Sequence, residues 1–255
     1  MAVARLAVDY KRTLYTREYP DSEAYEEAKS ACHLRAADHL LKLCCANGGV
    51  FVKVGQHIGA LDYLLPEEYV NTMKVLHNRS PQMPLEDIFS VLREELGQEP
   101  EAVFASFDPE PLGTASLAQV HKAVLHTGEV VAVKVQHKYV KKHSFIDMWS
   151  CDIMVRGVKV LFPQFSFMWL ANEMKINMPL ELDFTQEARN AEKVTRIFRD
   201  FDWLKVPEIF WEHTTSRVLV MEYCTGSHIN DVESLRRQKV DDDDYDDDND
   251  SDNEG

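Results

Sequence analysis

Lys134 lies inside Val130-Val-Ala-Val-Lys-Val-Gln136, a run of β-branched residues with a single charge in its interior. At the two-residue period of a strand, Val131, Val133 and Val135 share one face while Val130, Ala132, Lys134 and Gln136 share the other. An ammonium on a half-buried sheet needs a counter-ion, because leaving it unpaired is costly or drives its pKa down. Glu187 is the candidate. From Asp183 to Asp200 the chain reads as an amphipathic helix whose apolar arc holds Phe184, Ala188, Ala191, Val194 and Phe198, and Glu187 falls within that arc. A strand lysine met by an inward-facing helical glutamate is an arrangement that fixes an ammonium for contact with phosphate. The same pair also fits a partly buried structural salt bridge, or a glutamate bent out to water, and the pattern alone leaves these readings open.

The elements that must position the pair follow from periodicity. The first hundred residues read as helices. Tyr25, Ala28, Cys32, Ala36, Leu40 and Leu43 keep helical spacing from Ser22 to Ala46, and Asn47-Gly48-Gly49 supplies the stop. Val50, Val54, Ile58, Leu61 and Leu65 stripe a second helix, after which Pro66 takes the first position of a third, with Glu67 and Glu68 favourable to its dipole. Pro84 opens a further helix through Ile88, Val91, Leu92 and Leu96 to a cap at Gly97. The period then changes. Asp108-Pro-Glu-Pro111 reads as a loop, and Leu117 to Val124 and Val130 to Gln136 as a hairpin turning at Thr127-Gly128. A helical insert follows, from Ser144 to Phe162 and Met168 to Met178. Beyond the Glu187 helix, Ile209 to His213 and Val218 to Glu222 read as two short strands around Thr214-Thr-Ser216.

Composition narrows the function classes. With 255 residues, 45% of them hydrophobic, the chain can bury a substantial core. Ten of its fifteen net negative charges sit in Asp241 to Gly255, so the rest is mildly acidic at −5 and has no basic balance suited to nucleic acid. Five cysteines, Cys32, Cys44, Cys45, Cys151 and Cys224, are odd in number and lack zinc-site spacing, which marks them as reduced, packed thiols. No run approaches the roughly 18 to 20 apolar residues of a membrane span, and no secretory core follows Met1. The self-repelling acidic tail reads as disordered; Ser251 is a candidate phosphorylation site, and the tail's carboxylates would bind divalent ions only loosely.

Three phrases carry a family resemblance. Lys53-Val-Gly-Gln56, Gly113-Thr-Ala-Ser-Leu-Ala-Gln-Val120 and Glu181-Leu-Asp-Phe-Thr-Gln-Glu187 resemble the KxGQ, alanine-rich-loop and ExD motifs of the UbiB/aarF-domain atypical kinase-like family. The order of hairpin, glutamate-bearing helix and a final strand at Met221-Glu222-Tyr223 is similar to that of a protein-kinase N-lobe. The likeness covers Asn47 to Tyr69 and Leu112 to Tyr223. It implies an α+β fold: an antiparallel sheet with an αC-type helix, a helical N-terminal extension and a helical insert. The divisions expected are an N-terminal segment at 1–21, the extension at 22–105, the N-lobe at 106–232 and the acidic tail at 233–255.

The resemblance also implies roles. Lys134 would meet nucleotide phosphates and Glu187 would hold it. Val120 and Ala132 would sandwich the adenine, and Glu222 and Tyr223 would offer backbone groups to its edge. Gly113, Thr114, Ala115 and Ser116 would let the loop backbone approach the nucleotide, although as residues they equally make an ordinary turn. The family has alanines where this chain has Gly113 and Thr114, which bears on nucleotide selectivity. Lys53, Gly55 and Gln56 would lie on a helix folded over the site, obstructing a protein substrate, with Lys53 meeting Glu181; the alternative for Lys53 is a solvated helical lysine. Asp183 has the spacing of a helix capping box with Gln186, a role that coexists with a family role.

No His-x-Asp or Asp-Phe-Gly triplet occurs, and the likeness fades near Val232, so the expectation is a shortened product without the C-lobe, not itself catalytically competent. For a full-length parent the family implies ATP or another nucleotide with Mg2+. It also implies a mitochondrial setting, with a role in lipid, coenzyme Q or membrane homeostasis and a mitochondrial membrane or lipid as partner. A non-catalytic interaction scaffold of pseudokinase type is the alternative function.

Overall fold

The valine-rich run forms an inner strand of a four-stranded antiparallel sheet in the computed structural model, which describes residues 2–77, 82–163, 168–226 and 233. The strands are β1 (Phe104–Thr114), β2 (Ala118–Leu125), β3 (Val130–Gln136) and β4 (Val218–Glu222), side by side in chain order. Gly128, at φ 102°, makes the β2–β3 turn. Val131, Val133 and Val135 are fully buried against Ile88, Val91 and Leu92 of the helix α5 (Leu85–Leu96), which covers one sheet face. Gly97, in the left-handed region at φ 69°, caps that helix as its position predicts.

The opposite face carries Ala132, Lys134 and Gln136. On it lies α9 (Phe184–Ile197), whose Phe184 and Ala188 pack with Ala118 and Leu219. Burying a phenylalanine this completely contributes about 1.5–3 kcal/mol. The expected apolar arc is covered only at its start: Val194 and Phe198 are each 38% exposed. The mixed helical and four-stranded architecture is the α+β N-lobe arrangement with a helical extension.

The extension is built from α1 (Ala2–Tyr10), α2 (Ser22–Asn47), α3 (Gly49–Gly59) and α4 (Glu67–Met73). Asp21 caps α2 by accepting from Ala24 N at 2.8 Å, and Gly48 ends it at φ 68°. The single turn α6 (Pro100–Val103) leads into β1, and the insert forms α7 (Val140–Leu161) and α8 (Met168–Glu181).

Several local expectations are corrected. Asp108 to Pro111 is not a loop but part of β1, with shifted register between Phe107 and Pro111. Prolines are tolerated there because β1 is a sheet edge, where a missing amide donor breaks no inner ladder. Phe104 and Phe107 hold the strand in place, Phe107 meeting Phe89 edge-on at 5.4 Å. The second helix stops at Gly59 rather than Leu65, and Pro66 is an N-cap rather than the first helical residue. Ile209 to His213 forms one bridge, Ile209 to Met221, followed by a 3-10 turn instead of a strand. The Thr214 and Thr215 hydroxyls accept from Val220 N and Val218 N at 3.1 and 3.2 Å, replacing ladder bonds with side-chain ones.

Candidate nucleotide site

Cross-strand register lines up one residue from each strand: Gly113 opposite Val120, Val120 opposite Lys134, and Lys134 opposite Leu219. Opposed residues project to the same face, so Val120, Lys134 and Leu219 all face α9. There the Lys134 ammonium donates to both Glu187 carboxylate oxygens at 2.7 Å. Its Nζ also sits 4.9 Å from the centre of the buried Phe184 ring, a cation–π contact that further fixes it. The lysine side chain is 24% exposed and the glutamate 46%, so the pair opens to solvent rather than being sealed in the core.

Gln136, fully buried on the same strand face, donates to Leu182 O at 3.1 Å. Phe184 N donates to Ser216 O at 3.0 Å. These two bonds hold the segment from Glu181 to Glu187 against the sheet. Asp183 caps α9, accepting from Thr185 N at 3.0 Å and Thr185 Oγ1 at 2.8 Å.

The helix α3 lies against the same segment. Lys53 Nζ meets Glu181 at 2.9 Å, and His57, four residues on, faces it at 3.8 Å. His57 first, then Lys53, hold the Glu181 carboxyl below its ordinary range against the opposing effect of burial. At 3.8 Å the imidazole is beyond hydrogen-bond reach, so Lys53 is the tighter contact. Gln56 Oε1 accepts from Ser116 Oγ at 3.1 Å while its Nε2 donates to Leu76 O at 3.1 Å, which ties the helix to the loop after β1. Gly55 packs closely: a Cβ there would strike Leu76 and come within 3.2 Å of Cys44 Sγ.

The loop itself is held from below. Ala115 N donates to Ala118 O at 2.8 Å, and His137 Nε2 donates to Ala115 O at 2.8 Å. Burial pushes the His137 pKa down, which keeps the ring neutral at physiological pH. A Cβ at Gly113 would meet nothing within 4 Å, so open space adjoins Val120 at this end of the row. At the far end, Glu222 N donates to Glu208 O at 2.8 Å and Tyr223 N to Val130 O at 3.2 Å. Ala132 shares the Lys134 face, and the Lys122 ammonium lies 4.6 Å from the Tyr223 ring centre.

Val120, Ala132 and Lys134 thus share one sheet face, and Gly113 to Ser116 bound it. Lys53, Gly55 and Gln56 lie on α3, Glu181 at the end of α8, Asp183 at the cap of α9 and Glu187 on α9. Glu222, by contrast, stands opposite Val131 and so projects from the other face. His57, Phe184 and His137 were not foreseen. Spacing could have found His57, since positions 53 and 57 share a helix face.

Residues 75–247 match the ABC1 atypical kinase-like domain. The chain belongs to that family. AarF domain-containing kinase 1 of Drosophila melanogaster is 54% identical to this ABC1-family chain over 94% of its length and 46% of the relative's. AarF domain-containing protein kinase 1 of Mus musculus is also 54% identical, with the same coverage. The chain thus spans about half the length of these relatives. Among solved structures, the Rv3197–erythromycin complex from Mycobacterium tuberculosis aligns with a TM-score of 0.50 and 26% identity, over 79% of this chain and 51% of that one. The kinase-like assignment implies nucleotide binding for the ABC1 domain. No helix among the described residues is long and apolar enough to cross a membrane.

Proposed function

We propose that residues 106–232 form the nucleotide-binding lobe of an atypical kinase or ATPase, with α3 of the helical extension at 22–105 as its cover. The single observation that carries this reading is the two-oxygen grip of Glu187 on Lys134 at a solvent-open position. A nucleotide such as ATP would lie over Val120 and Ala132, with its phosphates toward Lys134 and its loop side over the open space at Gly113 and the backbone of Thr114 to Ser116. The amides of Glu222 and Tyr223 are engaged within the sheet region, so purine-edge contacts from this pair would come from carbonyl oxygens. Bound ATP would supply the transferable phosphoryl group; Lys134 would orient and neutralise it, and α3 would exclude water and bulky acceptors.

The described residues do not fit a magnesium site. Both Glu187 oxygens hold Lys134, and no group of three or more His, Cys, Asp or Glu among the described residues is arranged around a common point. A mitochondrial compartment and a role in lipid, coenzyme Q or membrane homeostasis enter the proposal from the family resemblance, and co-fractionation with mitochondria checks the compartment. A non-catalytic interaction scaffold of pseudokinase type, using the lobe and its helical cover to bind partners, is the second reading.

Thermal-shift titration with ATP, with and without magnesium, tests the pocket. The melting temperature should rise with ATP, and Lys134→Ala should abolish the rise while Lys42→Ala, on the exposed side of α2, retains it. No response to ATP in the wild-type chain would overturn the nucleotide reading. Phosphate release by a full-length ABC1-family relative that carries this lobe decides between the ATPase and the scaffold.

A further inference from the structure

Away from the nucleotide face, α1, α2, α3, α4, α7 and α8 line a partly open cavity of about 470 Å³. Protein interiors pack with few voids larger than a water molecule, whereas small-molecule sites span about 300–1,000 Å³. Leu40, Val54, Ile58, Met148, Val155 and Met174 are among the apolar side chains around it. Cys44 and Cys151 also line it, and burial pushes their thiols up to about 12 and about 11, so both present protonated, weakly polar sulfur.

Apart from the exposed His39, its polar groups are joined to one another or ion-paired. Tyr10 Oη lies 2.5 Å from His33 Nδ1 and 2.9 Å from Tyr69 Oη, three lining residues joined in one chain. Burial lowers the His33 pKa and raises those of both tyrosines, which keeps all three groups neutral near pH 7. Asp152, also in the wall, is shared between Lys175 at 2.6 Å and Arg156 at 2.8 Å, so each cation keeps a carboxylate partner. A charged ligand would be stripped of water with no free counter-ion, whereas a hydroxyl or carbonyl could join the His33–Tyr10–Tyr69 chain.

We propose that this cavity is a binding site for an uncharged, largely apolar chain molecule bearing one hydrogen-bonding head, of the long-chain alcohol type. The site is distinct from the nucleotide cleft. Phe51, Val54 and Ile58 of α3 face the cavity, while Lys53 and Gln56 of the same helix hold Glu181 and Ser116. Binding is therefore measured without nucleotide, so that failure of either proposal leaves the other standing.

Nile red, an uncharged fluorophore, is the probe for the full chain. Its fluorescence should rise saturably at one equivalent, and 1-dodecanol should displace it at least about tenfold more effectively than dodecanoate or dodecyltrimethylammonium. Val155→Trp and the smaller Ala171→Leu fill the cavity and should each weaken Nile red binding by about tenfold without lowering the melting temperature, whereas Trp203→Ala, on an exposed aromatic, should leave it unchanged. A measurement independent of any variant uses site-resolved alkylation by N-ethylmaleimide. Dodecanol should slow modification of Cys151 at least about tenfold while the exposed Cys45 reacts as before. An unchanged Cys151 rate, equal displacement by charged heads, or Nile red binding that survives both fillings and is lost in Trp203→Ala would overturn the proposal.

Discussion

Ser116 donates to Gln56 across 3.1 Å, and this one bond joins the loop beside the candidate phosphate position to the helix lying over it. Gln56 also satisfies Leu76 O, so its side chain bridges three segments: the loop, α3 and the turn after α4. Gln56→Ala leaves the Leu76 carbonyl without this donor and frees the loop, which should cost about 1 kcal/mol of stability. Hydrogen exchange locates the effect: amides 115–118 should exchange faster, while those of Val131 to Val135 keep their protection.

Gly55 and Gly59 allow α3 to approach its neighbours, and they do so against different kinds of atom. A Cβ at Gly55 meets side-chain ends of Leu76, Cys44 and Met73, whereas at Gly59 it meets the backbone of Lys74 at 3.0 Å and Met73 at 3.1 Å. Alanine adds about 1 kcal/mol of helix propensity at either site, but overpacking costs about 1–3 kcal/mol, and backbone yields less than side chains. Gly59→Ala should destabilise more than Gly55→Ala, both measurable as lower urea midpoints with unchanged slope.

The pH dependence of the cover follows from Glu181, whose carboxyl is held low by His57 and Lys53. A depressed carboxyl contributes its stability fully above the ordinary value of 4.5 and loses it as pH falls through the lower, folded-state value. Wild type should therefore exceed Glu181→Gln in melting temperature at pH 7, and the gap should close as pH drops below 4.5. A gap that stays constant down to strongly acidic pH would mean that the carboxylate is not stabilised by its neighbours.

Gln136 is fully buried, and its amide nitrogen carries Leu182 O. Gln136→Leu keeps the volume but leaves that carbonyl unpaired, at a cost of about 1–3 kcal/mol. Because the bond also positions the segment between Glu181 and Glu187, ATP affinity should fall along with stability, readable as a smaller thermal shift at fixed ATP.

How much of this was legible depended on whether a feature leaves a local periodic trace. The two-residue period placed Lys134 on the face opposite the valines, and the 3.6-residue period placed Glu187 toward the sheet; both positions hold in the fold. A glycine inside a helix, costly in propensity, is likewise a local mark of close packing, as at Gly55. Edge position leaves no such trace, and Pro109 and Pro111 read as loop residues because only the assembled sheet shows that β1 has a free side. Phe184 looked like ordinary core, since its place beneath the Lys134 ammonium depends on a contact fifty residues away in sequence. The cavity among six helices has no local signature, because it arises from tertiary spacing rather than from any one segment.

The central claim is that Lys134 binds nucleotide phosphate while Glu187 holds it in place, and a double-mutant cycle on fluorescent ATP-analogue binding tests it most directly. Lys134→Ala and Glu187→Ala should each weaken binding by about tenfold or more, with the double variant no weaker than Lys134→Ala alone, because the glutamate acts through the lysine. Binding that survives Lys134→Ala at wild-type strength, or losses that simply add in the double variant, would contradict it.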